Sequence, residues 1–262
     1  MKMKNLRIFV QMTGANLRGL MSFKVDFLVS FFAGLLSQTI GLLFLGVLFQ
    51  NISEVAGWTV FEAAILYGYM FFGEGILTLF FQGTNGLWKK VRLGQFDQYL
   101  TRPISLELQI YGTQTNLAGA GTAITGLVII LYSFFNLHYQ WTLETAVLFF
   151  VSLVLGAVIR VNINFGSSVL GMILEGGGGI KGTLERVQEM GKYPLSIYPK
   201  AFQIILLTLI PYAAISYVPA AVLLGKADLK FFLVLPVATA LCIGLRKWLF
   251  KKALEKYEGS GN

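Results

Sequence analysis

The chain has 262 residues and a formal net charge of +8, with 55% hydrophobic and only 13% charged residues, where an average soluble domain is about 25% charged. Its mean hydropathy is +0.68. This excludes a disordered chain, and a soluble core could not hide so much apolar surface, so the bilayer is the expected solvent. The fold class that follows is an all-α, polytopic membrane protein. A single cysteine, Cys242, excludes an intramolecular disulfide and reads as a small buried hydrophobe. One histidine, His138, with no Cys/His cluster at ligand spacing, argues against a zinc or haem site.

Residues 1–23 do not read as a cleavable signal, because Arg18 interrupts the apolar run and Lys24 follows it closely. They read as an amphipathic helix. Met3, Leu6, Val10, Leu17 and Leu20 fall on one face, with Lys4, Arg7, Gln11 and Arg18 on a neighbouring stripe. Such a helix lies in the interface with its cations near anionic headgroups.

A crossing needs roughly 20 apolar residues. Spans are predicted near 25–49, 58–81, 105–134, 141–160 and 231–250. Between the last two the pattern is ambiguous. Either 201–224 is the fifth span, or 161–185 is and 201–224 forms a broken, re-entrant pair interrupted by Pro211 and Pro219. Both layouts give six crossings. Lys and Arg gather in residues 1–24, in the 82–104 loop and after Arg246, while loops 50–57 and 135–140 have none. The positive-inside rule then puts both termini and the 82–104 loop in the cytoplasm. Lys181, Arg186, Lys192 and Lys200 dissent from the re-entrant layout, since they vote for a cytoplasmic 181–200 segment.

Glu74 lies deep in the second predicted span, where an ionisable group must face the bundle interior or pair. It is the candidate for substrate contact or gating. Glu62, Asp26 and Arg160 are expected to snorkel or pair near the interfaces, and Trp58, Trp88, Trp141 and Trp248 to anchor span ends. Phe71, Phe72, Phe80 and Phe81 either line a path or face lipid and neighbours. Gly34, Gly41 and Gly46 suit close helix contact. Gly176 to Gly179 read as a hinge or flexible loop, since consecutive glycines disfavour helix.

No phosphate-binding loop is present, because GGGGIKG lacks the spacing and the Ser/Thr after Lys. No catalytic constellation is visible, and the basic balance is explained by loop charge rather than nucleic acid. Any active work must draw on a partner or an ion gradient.

The segment 82–110, QGTNGLWKKVRLGQFDQYLTRPISLELQI, interrupts the apolar pattern. Gly94 splits it, and Gln95 to Arg102 reads as a short cytoplasmic helix ended by Pro103, itself placed as a first-turn residue of span three. This helix offers Phe96, Asp97, Tyr99 and Arg102.

The run FDQYLTRPIS resembles the cytoplasmic segment of ABC-2 type permeases, the membrane subunits of bacterial ATP-binding cassette exporters. YPLSIYPKAF (193–202), IPYA (210–213) and VPA (218–220) resemble their later region. The resemblance implies a bacterial inner-membrane exporter of a small molecule, drug or lipid, working by alternating access. It implies a second permease subunit, identical or homologous, and two copies of a separate ATPase that holds ATP-Mg, with no cofactor on this chain. It makes 95–102 the coupling helix, with Phe96, Asp97, Tyr99, Arg102 and Pro103 at the docking site. It makes residues 1–23 an interfacial connecting helix and 201–224 re-entrant on the outer side. The rival reading is a stand-alone secondary transporter or channel, which commonly carries an internal repeat; residues 1–130 and 131–262 show no convincing one.

Overall fold

The computed structural model describes residues 2–174 and 177–257, with the side chains of residues 2–6, 27, 51, 177 and 178 outside that description. Met3, Lys4 and Leu6 of the amphipathic stripe, and Glu175 and Gly176 of the glycine run, therefore lie beyond what is described. Thirteen α-helices are described: α1 (Lys2–Met21), α2 (Lys24–Leu36), α3 (Thr39–Asn51), α4 (Val60–Phe81), α5 (Leu87–Arg92), α6 (Asp97–Leu100), α7 (Leu106–Gly112), α8 (Ala118–Asn136), α9 (Leu143–Ile173), α10 (Gly177–Met190), α11 (Lys200–Leu207), α12 (Tyr212–Leu223) and α13 (Val234–Lys256). The described residues hold no strand, only an isolated bridge between Val55 and Trp58. Among the described residues five segments are long and apolar enough to cross a membrane, Lys24–Gln50, Val60–Phe80, Ala118–Asn136, Leu143–Ile173 and Leu229–Lys256, and α11 with α12 would make a sixth if that bent pair were one span.

The tightest packing is between α4 and α8, and glycine makes it possible. Gly68 lies against Gly126 and Gly75 against Gly119, so the helices run antiparallel with backbones nearly touching. A Cβ on Gly75 would strike the backbone of Ala123, and one on Gly126 the backbone of Phe72. Small residues supply this close approach where lipid tails provide no hydrophobic drive between helices. Of the first-span glycines expected to do the same, Gly34 abuts Ala118 on α8, while nothing lies near Gly46.

Two helices run differently from the sequence expectation. The predicted third span begins as α7 but breaks at residues 113–117, where the Asn116 side chain accepts from the Ala118 N–H at 3.0 Å and starts α8. The crossing-length piece is α8 alone. Helix α9 does not stop at Arg160; it continues unbroken to Ile173 over 31 residues, about 46 Å at 1.5 Å per residue. Residues 161–173 are thus its second half rather than the start of another span. The three described glycines, Gly177 to Gly179, begin α10 instead of forming a loop.

Helix α10 turns back along the second half of α9, and α12 lies along the first half, where Gly156 meets Ile215. The two meet end to end. Gly191, just past α10, contacts the Cβ of Tyr212, the first residue of α12, and also touches Met70 midway along α4. The Ser216 hydroxyl donates to the Gly191 carbonyl across this junction. Helix α11, between them in sequence, is bent 98° from α12. Pro219 sits inside α12 without breaking it, and Pro211 caps its start.

Changing Gly75 or Gly126 to valine is expected to force α4 and α8 apart and cost about 1–3 kcal/mol, the usual penalty of overpacking. Gly46→Ala should be silent. Thermal unfolding of the purified protein in detergent checks both.

Candidate functional site

Two regions concentrate chemistry. The first is the joint between α4 and α8. Gly94 adopts φ +67°, a conformation cheap only for glycine, and it separates α5 from α6 as the sequence suggests. The side chains then divide. Phe96 and Tyr99 point inward and are almost wholly buried. They join Leu87, Ile110, Phe165, Val169, Leu249 and Phe250 in one cluster that ties the joint to the ends of α9 and α13. Phe96 packs edge-on to Tyr257 at 5.1 Å, and the Tyr257 hydroxyl donates to Asp97 Oδ1 at 2.6 Å. Gln109, fully buried, donates to the carbonyls of Tyr99 and Ile104 at 2.9 and 2.8 Å.

Phe96, Asp97 and Tyr99, expected to be offered outward, are therefore roots that hold the joint. Phe96, at the N-cap of α6, and Tyr99, three positions on, share the side that faces the bundle. The exposed side carries Arg92, Leu93, Gln98, Leu100 and Arg102, with Leu93 58% and Leu100 49% exposed. Pro103 is exposed too, but it lies in the bend before α7, whose N-cap is Ser105, and so is not a first-turn residue. Gln109 and Tyr257 went unnoticed in the sequence. A glutamine inside an apolar stretch was the available signal for the first; nothing local marks the second.

Helix α1 packs across the same end. Asn16 Nδ2 donates to the Gly112 carbonyl at 2.9 Å, and Phe9 stacks on Phe81 at 5.6 Å. Its protein-facing stripe is Phe9, Met12, Thr13 and Asn16, while Val10 is exposed.

The second region lies inside the bundle. Arg160 on α9 ion-pairs with Glu74 on α4. The same guanidinium donates to Gln188 on α10 and, at 3.1 Å, to the hydroxyl of Tyr212 on α12. Thr78 and Gln188 complete the carboxylate's partners at 3.4 Å each. One cation thus fastens four helices at the α10–α12 junction. Arg160 was expected near an interface; its burial corrects that reading, and its charge did not end the helix because a counter-charge meets it there. Glu74 keeps 30% of its side chain open. Both ions border a polar cavity of about 60 Å³ that Asn85, Asn164, Lys181 and Glu185 also line, room for one or two waters.

Two further pairs fix the ends. Arg246 meets Glu107 at 2.6 Å and donates to Asn162 Oδ1 at 3.1 Å, joining α13 to α7 and α9. Lys226 reaches Glu62 at 3.0 Å and the Gly57 carbonyl at 2.8 Å, above the Trp58 ring. Trp58 is buried against Tyr217 rather than anchoring an interface. Trp248 is exposed, as an anchor requires. Phe71 is buried, and Phe72 and Phe81 line an apolar cavity of about 410 Å³ between α4 and α9.

An all-helical bundle with five crossing-length apolar helices and internally paired charges defines a multi-pass membrane protein. Residues 35–261 match the family model described as ABC-2 family transporter protein, and the chain belongs to that family. Searches of curated proteins and of solved structures give no significant match. The family is one of membrane components that associate with an ABC ATPase, and they are not themselves the catalytic part.

Glu74→Gln should leave Arg160 without a counter-charge and cost about 3–5 kcal/mol, the penalty for breaking a buried pair. The Glu74→Leu/Arg160→Leu double variant should recover most of that loss. Unfolding midpoints of the three purified proteins decide it, and no recovery in the double variant would refute a pairwise origin.

Proposed function

We propose that this chain is the permease subunit of an ATP-driven exporter, moving a small molecule, drug or lipid out of the cytoplasm by alternating access. The observation that carries the reading is the two-sided joint of α5 and α6. A surface of Leu93 and Leu100 flanked by Arg92 and Arg102 is free to receive a partner, while Phe96 and Tyr99 root the same segment in α9 and α13. Force applied to the outer side has a packed route into two crossings.

Two copies of a separate ATPase carrying ATP-Mg dock there in this reading. Two permease subunits, identical or homologous, enclose the pathway. The basic end of the bundle, with Lys89, Lys90, Arg92, Arg102, Lys247, Lys251 and Lys252, faces the cytoplasm of a bacterial inner membrane, and both termini lie on that side. Helix α1 lies in the interface against lipid. The fifth crossing in chain order is a composite. Helix α10 rises from the cytoplasmic end to mid-depth, α12 completes the passage, and 191–211 is an excursion between them. This arrangement differs from the layout with 161–185 as a span, because residues 161–173 belong to α9, and it keeps 201–224 as the broken pair one layout expected, α11 and α12 being bent by 98°. Glu74, at the junction of the two half-helices, is the gating candidate.

The experiment is copurification of an ATPase with the tagged chain, followed by transport in vesicles. Leu100→Glu and Arg102→Glu should weaken ATPase recovery at least tenfold and leave the unfolding midpoint unchanged. Phe96→Ala should instead lower stability by about 3–5 kcal/mol. Ion-gradient-driven flux by the chain alone would sink the exporter reading in favour of a secondary transporter.

A further inference from the structure

Helix α10 presents a charged face in an unusual place. Glu185 and Glu189 have side chains 60% and 59% exposed. Yet the helix ends beside Met70, Tyr67 and Phe71, midway along a 22-residue crossing. Carboxylates that open to the outside of a bundle at this depth cannot face hydrocarbon. The space in front of them is therefore polar, and in the permease reading it is the water-filled pathway.

At the top of that face sits Lys192. Its ammonium lies 5.9 Å from the Tyr67 ring centre and 5.3 Å from that of Phe71. It also contacts both oxygens of Glu189, at 2.8 and 2.6 Å. Tyr67 is set edge-to-face with Phe71 at 5.8 Å and with Tyr193 at 5.7 Å, and the rings of Tyr67 and Phe71 are buried. Two rigid ring faces and one carboxylate make a receptor for a cation, because the ring quadrupole and the negative charge both attract a positive group. Lys192 is only 11% exposed, whereas Glu189 opens to the pathway. The lysine belongs to a turn after α10, next to Gly191, so its flexible stem can leave without unwinding a helix.

We propose that Tyr67, Phe71 and Glu189 form a recognition site for the ammonium group of an organic cation, and that Lys192 occupies it as a tethered stand-in until such a ligand displaces it. This rests on the permease reading and names the substrate class of that pathway. Lys192 leaves toward the aqueous space and the ligand's cationic group takes its place over the rings.

The test uses the full chain in lipid nanodiscs, with benzyltrimethylammonium as probe and uncharged neopentylbenzene as its isostere, read by titration calorimetry. Lys192→Met should bind the cation at least tenfold more tightly than the natural chain, because the internal competitor is gone. Adding Glu189→Gln or Tyr67→Leu to that variant should lose at least tenfold, and the neutral isostere should not distinguish the proteins. Equal cation affinity in the natural chain and Lys192→Met, or indifference to Glu189→Gln and Tyr67→Leu, overturns the proposal. Lys192→Gln replaces Lys192→Met if the latter is not monodisperse. Independently, a Glu189→Cys variant in a Cys242→Ala background should react with a membrane-impermeant charged thiol reagent. Lack of reaction also overturns it. Failure of ATPase copurification sinks the exporter reading but leaves these binding outcomes intact.

Discussion

A guanidinium inside a bundle of apolar helices must find a counter-charge, and Arg160 finds Glu74 across the α4–α9 contact. The rest of the inner architecture is arranged around that need. Arg160 has more donors than one carboxylate can take, so Gln188 and the Tyr212 hydroxyl are drawn to it as well. These two residues belong to the facing ends of α10 and α12. The facing ends of α10 and α12 are thus held together by the same cation, which α9 carries.

A broken helix at mid-depth exposes backbone groups that lipid cannot satisfy. Here protein supplies the partners: Ser216 donates to the Gly191 carbonyl, the Tyr198 hydroxyl to the Met190 carbonyl at 3.0 Å, and Gln203 to the Tyr198 carbonyl at 2.8 Å. The motif YPLSIYPKAF, which carries part of the family resemblance, contributes Tyr198 to two of these closures. Its tyrosines and prolines serve the excursion between half-helices. On its other face α4 interlocks with α8 through paired glycines. A stiff α4–α8 pair beside a discontinuous α10–α12 pair is a division suited to relative motion.

The joint shows the same economy at the bundle's end. Its length and charge attract attention as a loop, but its hydrogen bonds run inward, through Gln109 to two carbonyls and through Asp97 to Tyr257 near the far terminus. Residues 96 and 257 are distant in the chain and in ring contact. The joint and the last helix therefore form one unit.

Composition and hydropathy alone determined the solvent, the helical class and most crossing-length segments, because burying apolar length in lipid is a property of local sequence; the family resemblance rested on motifs such as FDQYLTRPIS. Gly94 likewise announced its break, since positive φ is a local demand. The tertiary structure decided what charge would do. Arg160 looked like a span end and became the pin of the bundle; Phe96 and Tyr99 looked like a docking face and became its roots. The fifth-crossing ambiguity had the same origin: only the folded chain shows residues 161–173 continuing α9 and 201–224 divided into α11 and α12, bent by 98°. Pairing partners lie tens of residues apart on different helices, so no window along the chain can contain them.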